Sequence, residues 1–446
     1  MSKEPIVCYY ALGAINYKNG YVTSCPQQSD QLHLYKDTKI LKPSEIINSE
    51  NFKKHRKELM SGTWSQGCHL CKEAEEIGAK SMRQDFAIKD DELKHYNHET
   101  GEIDFALVKH VELRFSNACN MACLHCSDVY SSGWMSKLKN YVPDKDDWDK
   151  KLVQLTRTFH KSSQNEDLSI SISIEEMEVI VDDLILNFPN LKRVDFAGGE
   201  VLYQKQFFPC LKKLADHPNI KNMGISFHTN FNAKFDPEEL ARLLKPFKKA
   251  NISMSLDAGT NIYSYFRTGD WEVLKKNIEK FRSVDNTTIM AIKCTTSVYQ
   301  IMDLENIFKS FFTLDVDRID SAIVYTPRYL NPAVLNLYFK DYVYEDIQKT
   351  YKIISEENIR RRANMELNSK RRSWNQLENR FTDISSAVTA LKDIEKFVLN
   401  HQRSESEYNS FIAYIEKTDK IWQRNFNDYM KKYKIINGKL ERIRHA

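Results

Sequence analysis

Three thiols stand within eight residues, Cys119, Cys123 and Cys126, in the stretch SNACNMACLHC. Brought together by a fold, they make a soft sulfur site, and soft ligands select zinc, copper(I) or iron–sulfur clusters. The number of ligands matters. Structural zinc takes four protein ligands in a closed tetrahedron. A cubane of four irons takes one protein sulfur per iron, so three cysteines leave one iron without a protein ligand. An open coordination position is where chemistry can happen, by the logic that separates catalytic from structural zinc sites. His125 lies between two of the thiols, where its ring is expected to point outward.

Four more cysteines form a second set. Cys8 and Cys25 have Gly20 between them, and Cys68-His-Leu-Cys71 follows after a long gap. Four thiolates satisfy a closed site. On chemistry alone a structural zinc is the leading reading, with iron–sulfur as the rival. Cys210 and Cys294 sit in the apolar contexts FFPCLKKL and IMAIKCTTS and read as buried small hydrophobes. Nine cysteines are an odd number, and no disulfide framework is expected.

The elements that must position these residues alternate along the chain. VKHVELRF (108–115) alternates as a strand. SIEEMEVIVDDLILNF opens with a capping box, Ser173 to Glu176, and spaces its apolar residues as a helix. Strands LKRVDFAGG, MGISFHTN, NISMSLDA, TTIMAIKCTTSV and DRIDSAIVY follow, separated by helices FFPCLKKLADH, PEELARLLKPFKKA, WEVLKKNIEKFRSV and LENIFKSFF. Repeated strand–helix alternation predicts a parallel sheet with right-handed crossovers. Six such strands fall short of a closed eight-stranded barrel. The fold class expected is α/β, a partial (β/α)6 TIM-like barrel over residues 106–335. A polar insertion at about 134–168 carries one amphipathic helix, WDKKLVQLTRTF. Residues 1–105 read as an irregular domain and 336–446 as a helical region.

The chain has 446 residues and a formal net charge of +4, too mild to argue for nucleic acid. Its densest basic stretch, Arg360–Arg362 and then Lys370–Arg372, reads as a solvated helix face. No apolar run approaches the roughly 18 residues needed to span a bilayer. No signal peptide is evident, so a cytoplasmic location is expected.

The strand ends then supply a series. Ala197-Gly198-Gly199-Glu200 closes the second strand, His228-Thr229-Asn230 the third and Ser255-Leu256-Asp257 the fourth, with Arg267 following in YSYFRTG. Ligand sites of such sheets lie at the strand C-termini. Glycines let a backbone approach a ligand closely, and a guanidinium suits a carboxylate through its fork. Thr229, Asn230, Ser255 and Asp257 equally suit helix caps and turns.

Together these residues resemble the radical S-adenosylmethionine (SAM) superfamily. Cys119-Asn-Met-Ala-Cys123-Leu-His-Cys126 is similar to its CxxxCxxC loop, although the residue before the last cysteine, often aromatic in the family, is His125 here. Gly198-Gly199-Glu200 resembles the GGE motif, Thr229-Asn230 and Ser255-Leu256-Asp257 the TN and SLD motifs, and Arg267 the arginine that pairs with the SAM carboxylate. The resemblance implies a [4Fe–4S] cluster on Cys119, Cys123 and Cys126, with SAM bound at the open iron. It implies reductive cleavage of SAM to a 5′-deoxyadenosyl radical and hydrogen abstraction from a substrate. The spacing Cys8…Gly20…Cys25…Cys68-x-x-Cys71 resembles the SPASM/Twitch extension, which holds an auxiliary [4Fe–4S] cluster. Lying ahead of the core, it is similar to N-terminal-Twitch radical SAM proteins, as is Ser131-Ser132-Gly133-Trp134 after the loop. By that analogy the substrate is a peptide or protein side chain, and the electron donor is of the flavodoxin or ferredoxin type. The alternatives are a small-molecule substrate, or a zinc-binding scaffold or nucleic-acid module that uses both cysteine sets structurally. No membrane or nucleic-acid partner is expected.

Overall fold

The computed structural model describes residues 4–443 other than 19, 29, 77–79, 90, 128–129, 142–170, 261, 326, 370–384 and 402. The expected insertion helix WDKKLVQLTRTF and the Lys370–Arg372 cluster lie outside the described residues.

Eight strands form one mixed sheet: β1 (Ala14–Lys18), β2 (Tyr21–Thr23), β3 (His110–Leu113), β4 (Arg193–Phe196), β5 (Gly224–Thr229), β6 (Lys249–Ser255), β7 (Ile289–Thr296) and β8 (Arg318–Ile323). Their order is β2-β1-β3-β4-β5-β6-β7-β8, an open series with β2 and β8 at its ends. The six strands β3 to β8 are the six that the alternation predicts. Two more come from the N-terminal stretch, where β1 runs parallel to β3 and β2 turns back antiparallel on β1. β1 leads into β2 and not into a crossover helix, so neither shows the strand–helix alternation that marks the other six.

The chain divides into two compact units. The first takes in residues 1–118, 164–227 and 239–250. Here β3 is parallel to β4 and β4 to β5. The crossover helix Ile174–Asn187 opens with the expected capping box of Ser173 and Glu176. It buries Met177, Ile180, Val181 and Leu184, spaced to form one stripe. Ser44 ties the N-terminal stretch to this helix, donating through its N–H and Oγ to the Asp183 carboxylate at 2.7 Å each.

The second unit takes in residues 119–163, 228–238 and 251–446. There β6, β7 and β8 are parallel neighbours. Helix Trp271–Val284 starts at Asp270, whose carboxylate accepts from the N–H groups of Glu272 and Val273. Cys210, in the first unit, and Cys294, in the second, are buried, as their contexts predict.

Two expectations need correction. The helix PEELARLLKPFKKA stops at Leu244 and β6 begins at Lys249. Pro246 disfavours helical backbone at the residue before it and brings no N–H of its own. The C-terminal region is not wholly helical. After helices Asn336–Ser369, Ser385–Asn400 and Glu405–Trp422 comes a hairpin of β9 (Tyr433–Ile436) and β10 (Lys439–Arg442). Its turn is Asn437-Gly438, both at positive φ, the pair that two-residue hairpins favour.

Candidate functional site

The three-cysteine loop belongs to the second unit, and its backbone is pinned at almost every residue. Ser132 Oγ accepts from the Cys119 N–H at 3.0 Å and lies 3.3 Å from the Cys119 carbonyl. Ser131 Oγ donates to the Met121 carbonyl at 2.5 Å. The Ala122 N–H donates to Thr268 Oγ1 at 2.8 Å, and the Leu124 N–H to the Phe266 carbonyl at 2.9 Å. Trp134 Nε1 donates to the Cys123 carbonyl at 2.7 Å, and the Tyr414 hydroxyl donates to the Leu124 carbonyl. Gly133 lies so close that a Cβ there would stand 2.3 Å from the Met121 carbonyl oxygen. Ser131-Ser132-Gly133-Trp134 is therefore a clasp on the loop, with a separate task for each residue.

Apolar packing holds the clasp down. Trp134 is fully buried and meets Trp422 edge-on, ring centres 4.4 Å apart. Ala122 and Ile421 complete the cluster, and Cys126 packs against it. Thr268 takes φ +61°, a strained value for a β-branched residue, and in that position its hydroxyl meets the loop.

Asp257 and Arg267 come together beneath the loop. Arg267 Nη1 donates to Asp257 Oδ2 at 2.5 Å, and both residues are buried. Asp257 Oδ1 accepts from the Thr295 N–H at 2.5 Å. Burial opposes the charge on Arg267, but Cys123 and Asp257 outweigh it and raise its pKa. Burial pushes the Cys123 thiol up to about 12, with Arg267 opposing and Cys119 adding. Burial also raises Cys126, helped by Cys123 and Cys119. These thiols must lose protons to bind a metal.

His125 corrects an expectation. Its ring turns inward and stacks on Phe266, centres 5.0 Å apart and planes within 11°. Its Nε2 lies 3.3 Å from Asp257 Oδ2. Burial lowers its pKa, with Asp257 opposing and Arg267 adding. An aromatic neighbour and a carboxylate outweigh the solvent that a loop position usually offers.

The remaining strand-end residues are placed as follows. Thr229 Oγ1 accepts from the Phe231 N–H at 2.9 Å, and Asn230 Oδ1 from the Asn232 N–H at 2.8 Å, so both shape the turn after β5. Asn230 also donates to Asn120 Oδ1 of the cysteine loop at 2.8 Å. Ser255 ends β6, half-buried. In the first unit, Gly198 and Gly199 take φ +84° and +47°. A Cβ on Gly199 would stand 2.2 Å from the Ala118 carbonyl oxygen, so this approach needs glycine. The Glu200 N–H donates to that same oxygen at 2.8 Å, and the buried Glu200 carboxylate accepts from the Leu202 N–H.

The four other cysteines, all in the first unit, line one concavity that opens to solvent. Cys8 precedes the short helix Tyr9–Gly13, and the N–H groups of Tyr10 and Ala11 serve its sulfur. Cys68 and Cys71 stand at the start of helix His69–Glu76, and the Gly67 N–H beside them donates to Asp30 Oδ2 at 2.6 Å. Burial raises the thiols of Cys8, Cys25 and Cys68, the last two to about 12, and each is raised further by the neighbouring cysteines.

Cys25 sits in a turn fixed by a closed ring of hydrogen bonds. Ser24 Oγ donates to Gln28 Oε1 at 2.8 Å. With that proton spent, Ser24 Oγ accepts from His55 Nε2 at 3.3 Å, and Gln28 Nε2 donates to His55 Nδ1 at 3.4 Å. Only a neutral imidazole closes the ring. Burial, aided by Arg56, pushes the His55 pKa down to about 4. The unfolded chain therefore binds more protons than the folded chain between about pH 4 and 6.5. Stability is full above that window and falls as pH drops through it, by about 3 kcal/mol at most. Denaturant unfolding of metal-free protein at pH 7 and pH 4.5 measures the loss, and His55→Gln is expected to reduce that slope.

One feature fits a group that such a site would take. Arg267 Nε is buried without a partner among the described residues, which suits a carboxylate beside the loop. The four-cysteine set supplies four soft sulfur ligands, a donor set that suits zinc or an iron–sulfur cluster. Among the described residues, no three His, Cys, Asp or Glu side chains are grouped as the ligands of a single metal ion. Among those residues, no helix is long and apolar enough to cross a membrane.

No curated protein matches the chain. Solved structures do. They include native anSMEcpe with bound AdoMet, at 16% identity over 56% of this chain and 62% of that one, TM-score 0.38. Another is Streptococcus suis SuiB bound to the precursor peptide SuiA, at 12% identity over 60% and 54%, TM-score 0.32. A third is the methyltransferase TsrM from Kitasatospora setae, at 12% identity over 35% and 32%, TM-score 0.27. The chain thus spans about three-fifths of the first of these and less of the others. Residues 113–299 match the family model described as the radical SAM superfamily. That stretch, which carries the three-cysteine loop and the residues at the ends of β4, β5 and β6, is a radical SAM domain.

Proposed function

We propose that the chain is a radical SAM enzyme whose Cys119, Cys123 and Cys126 hold a [4Fe–4S] cluster that binds SAM. The observation that carries this reading is the pinned loop of three thiols, with the Arg267 backbone carbonyl 3.5 Å from the Cys123 sulfur and the buried Arg267 charge acting on that thiol. When bound, the cluster and SAM supply electron-driven cleavage of SAM and a 5′-deoxyadenosyl radical that takes hydrogen from a substrate carbon. The chain's own residues do the placing. The Ser131–Trp134 clasp fixes the loop, and Asp257 fixes Arg267, leaving Nε for the SAM carboxylate. Gly198, Gly199 and Glu200 are assigned to the methionine amino group, and Thr229, Asn230 and Ser255 to the ribose side. His125 fills the aromatic slot before the last cysteine.

Residues 1–105 form, in this reading, a SPASM/Twitch-like domain in which Cys8, Cys25, Cys68 and Cys71 hold an auxiliary [4Fe–4S] cluster. The core spans 106–335 and the C-terminal region 336–446. With no open iron, such a cluster suits electron transfer, which a net oxidation requires. The substrate class is a peptide or protein side chain, and the electron donor a flavodoxin or ferredoxin.

Protein purified without oxygen is expected to hold about eight irons per chain, four for each cubane. Reduced and given SAM, it should release 5′-deoxyadenosine. Changing Cys119, Cys123 and Cys126 to Ala should end the release, whereas changing the other four should not. Release that survives loss of the trio, or zinc in place of iron there, overturns the assignment.

A further inference from the structure

Lys18, in β1, is a buried cation that makes no ion pair of its own among the described residues. Only 8% of its surface is exposed. Its Nζ donates to the Pro26 and Gln28 carbonyls at 3.1 Å each, both in the turn that carries Cys25. Among the described residues, no carboxylate lies within ion-pair distance of it. The nearby Glu112 is engaged by Arg114, at 2.6 Å. The two carbonyls take two of the three ammonium N–H groups but do not neutralise its charge, and an uncompensated buried charge is costly. Burial, aided by Arg114, lowers its pKa to about 8, while Glu112 and then Cys25 work in the opposite direction. The other cation near these thiols, Arg83, lines the concavity but is neutralised by Glu75 through contacts of 2.9 and 2.6 Å.

We infer that Lys18 is the counter-cation of the centre held by Cys8, Cys25, Cys68 and Cys71, and that its charge raises that centre's reduction potential. The inference rests on the auxiliary-cluster reading above. Four thiolates and a cubane carry net negative charge, and reduction adds one more electron. A fixed cation nearby stabilises the reduced form more than the oxidised one, and charge and hydrogen bonding set such potentials. Lys18 acts through the field and through the turn. It touches neither substrate nor SAM, so it is a positioning residue.

The test uses full-length chain with Cys119, Cys123 and Cys126 changed to Ala, so that only the four-cysteine centre reports. Metal and sulfide content come first. Four irons per chain sustain the auxiliary-cluster reading. Zinc there removes that reading and the inference with it. With iron present, potentiometric titration followed by electron paramagnetic resonance compares Lys18→Gln, which keeps a donor for the carbonyls, with Lys18→Arg, which keeps the charge. Lys18→Gln is expected to hold its cluster and to shift the midpoint to a more negative value. The fraction reduced at a fixed potential should fall severalfold. Lys18→Arg should stay near the parent, and Arg83→Gln should move the midpoint less than Lys18→Gln. Loss of the cluster in Lys18→Gln alone also supports the inference, because charge is then needed to hold it. An unmoved midpoint in Lys18→Gln overturns the inference, and so does loss of the cluster in both Lys18 variants, which leaves Lys18 a role in the turn only.

Discussion

Asp257→Asn is expected to destabilise the protein by about 3–5 kcal/mol, the range found when one partner of a buried ion pair is removed. The shape is kept and the charge is lost. Arg267 then remains buried beside Cys123 without its carboxylate, while the Asn side chain still offers one oxygen, to the Thr295 N–H or to Arg267 but not fully to both. The contact with His125 Nε2 weakens as well. Anaerobic denaturant unfolding of metal-free protein reads the loss. Adding Arg267→Met should recover a large part of the stability, because the orphaned charge goes with it. It should not recover 5′-deoxyadenosine release, because the guanidinium assigned to the SAM carboxylate is gone. A loss under about 1 kcal/mol for Asp257→Asn alone contradicts the buried pair.

Trp134→Ala is the second large effect. The side chain is fully buried, and such deletions cost about 3–5 kcal/mol. The indole also holds the Cys123 carbonyl, and leaving that acceptor unmet adds about 1 kcal/mol or more. Trp134→Phe keeps most of the volume and isolates the hydrogen bond, so it should cost less. Trp422→Ala combined with Trp134→Ala should cost less than the two separately, since the rings share one contact. Iron at the three-cysteine loop should fall in Trp134→Ala while iron at the four-cysteine set is kept. Equal loss from both sets contradicts the clasp.

The sequence made the local features plain. Ser173 and Glu176 marked a helix start because a capping box is a contact between near neighbours. Six strands were readable from their spacing, and the cysteine loop from three side chains within eight residues. What stayed hidden depends on distance along the chain. Nothing near Tyr414 or Trp422 signals that they meet Leu124 and Trp134. The ring of Ser24, Gln28 and His55 needed the helix Glu50–Met60 laid beside the Cys25 turn. Arg267 looked like a ligand for SAM alone, because a sequence cannot show that Asp257 takes one of its nitrogens first. Lying between two thiols, His125 reads as pointing outward, and the stacking partner that turns it inward, Phe266, is remote in sequence. The hairpin is different. Asn437-Gly438 is a strong local signal, and the helical pattern upstream obscured it.

The hydroxyl of Tyr414 reaches a carbonyl 290 residues earlier in the chain. At roughly 5–20 residues per second, a ribosome makes that stretch in about 15–60 s. The three thiols are therefore made well before the segment that ties down Leu124 and Trp134 exists. Until Tyr414 and Trp422 have been synthesised, the loop and its clasp lack two of the contacts that fasten them.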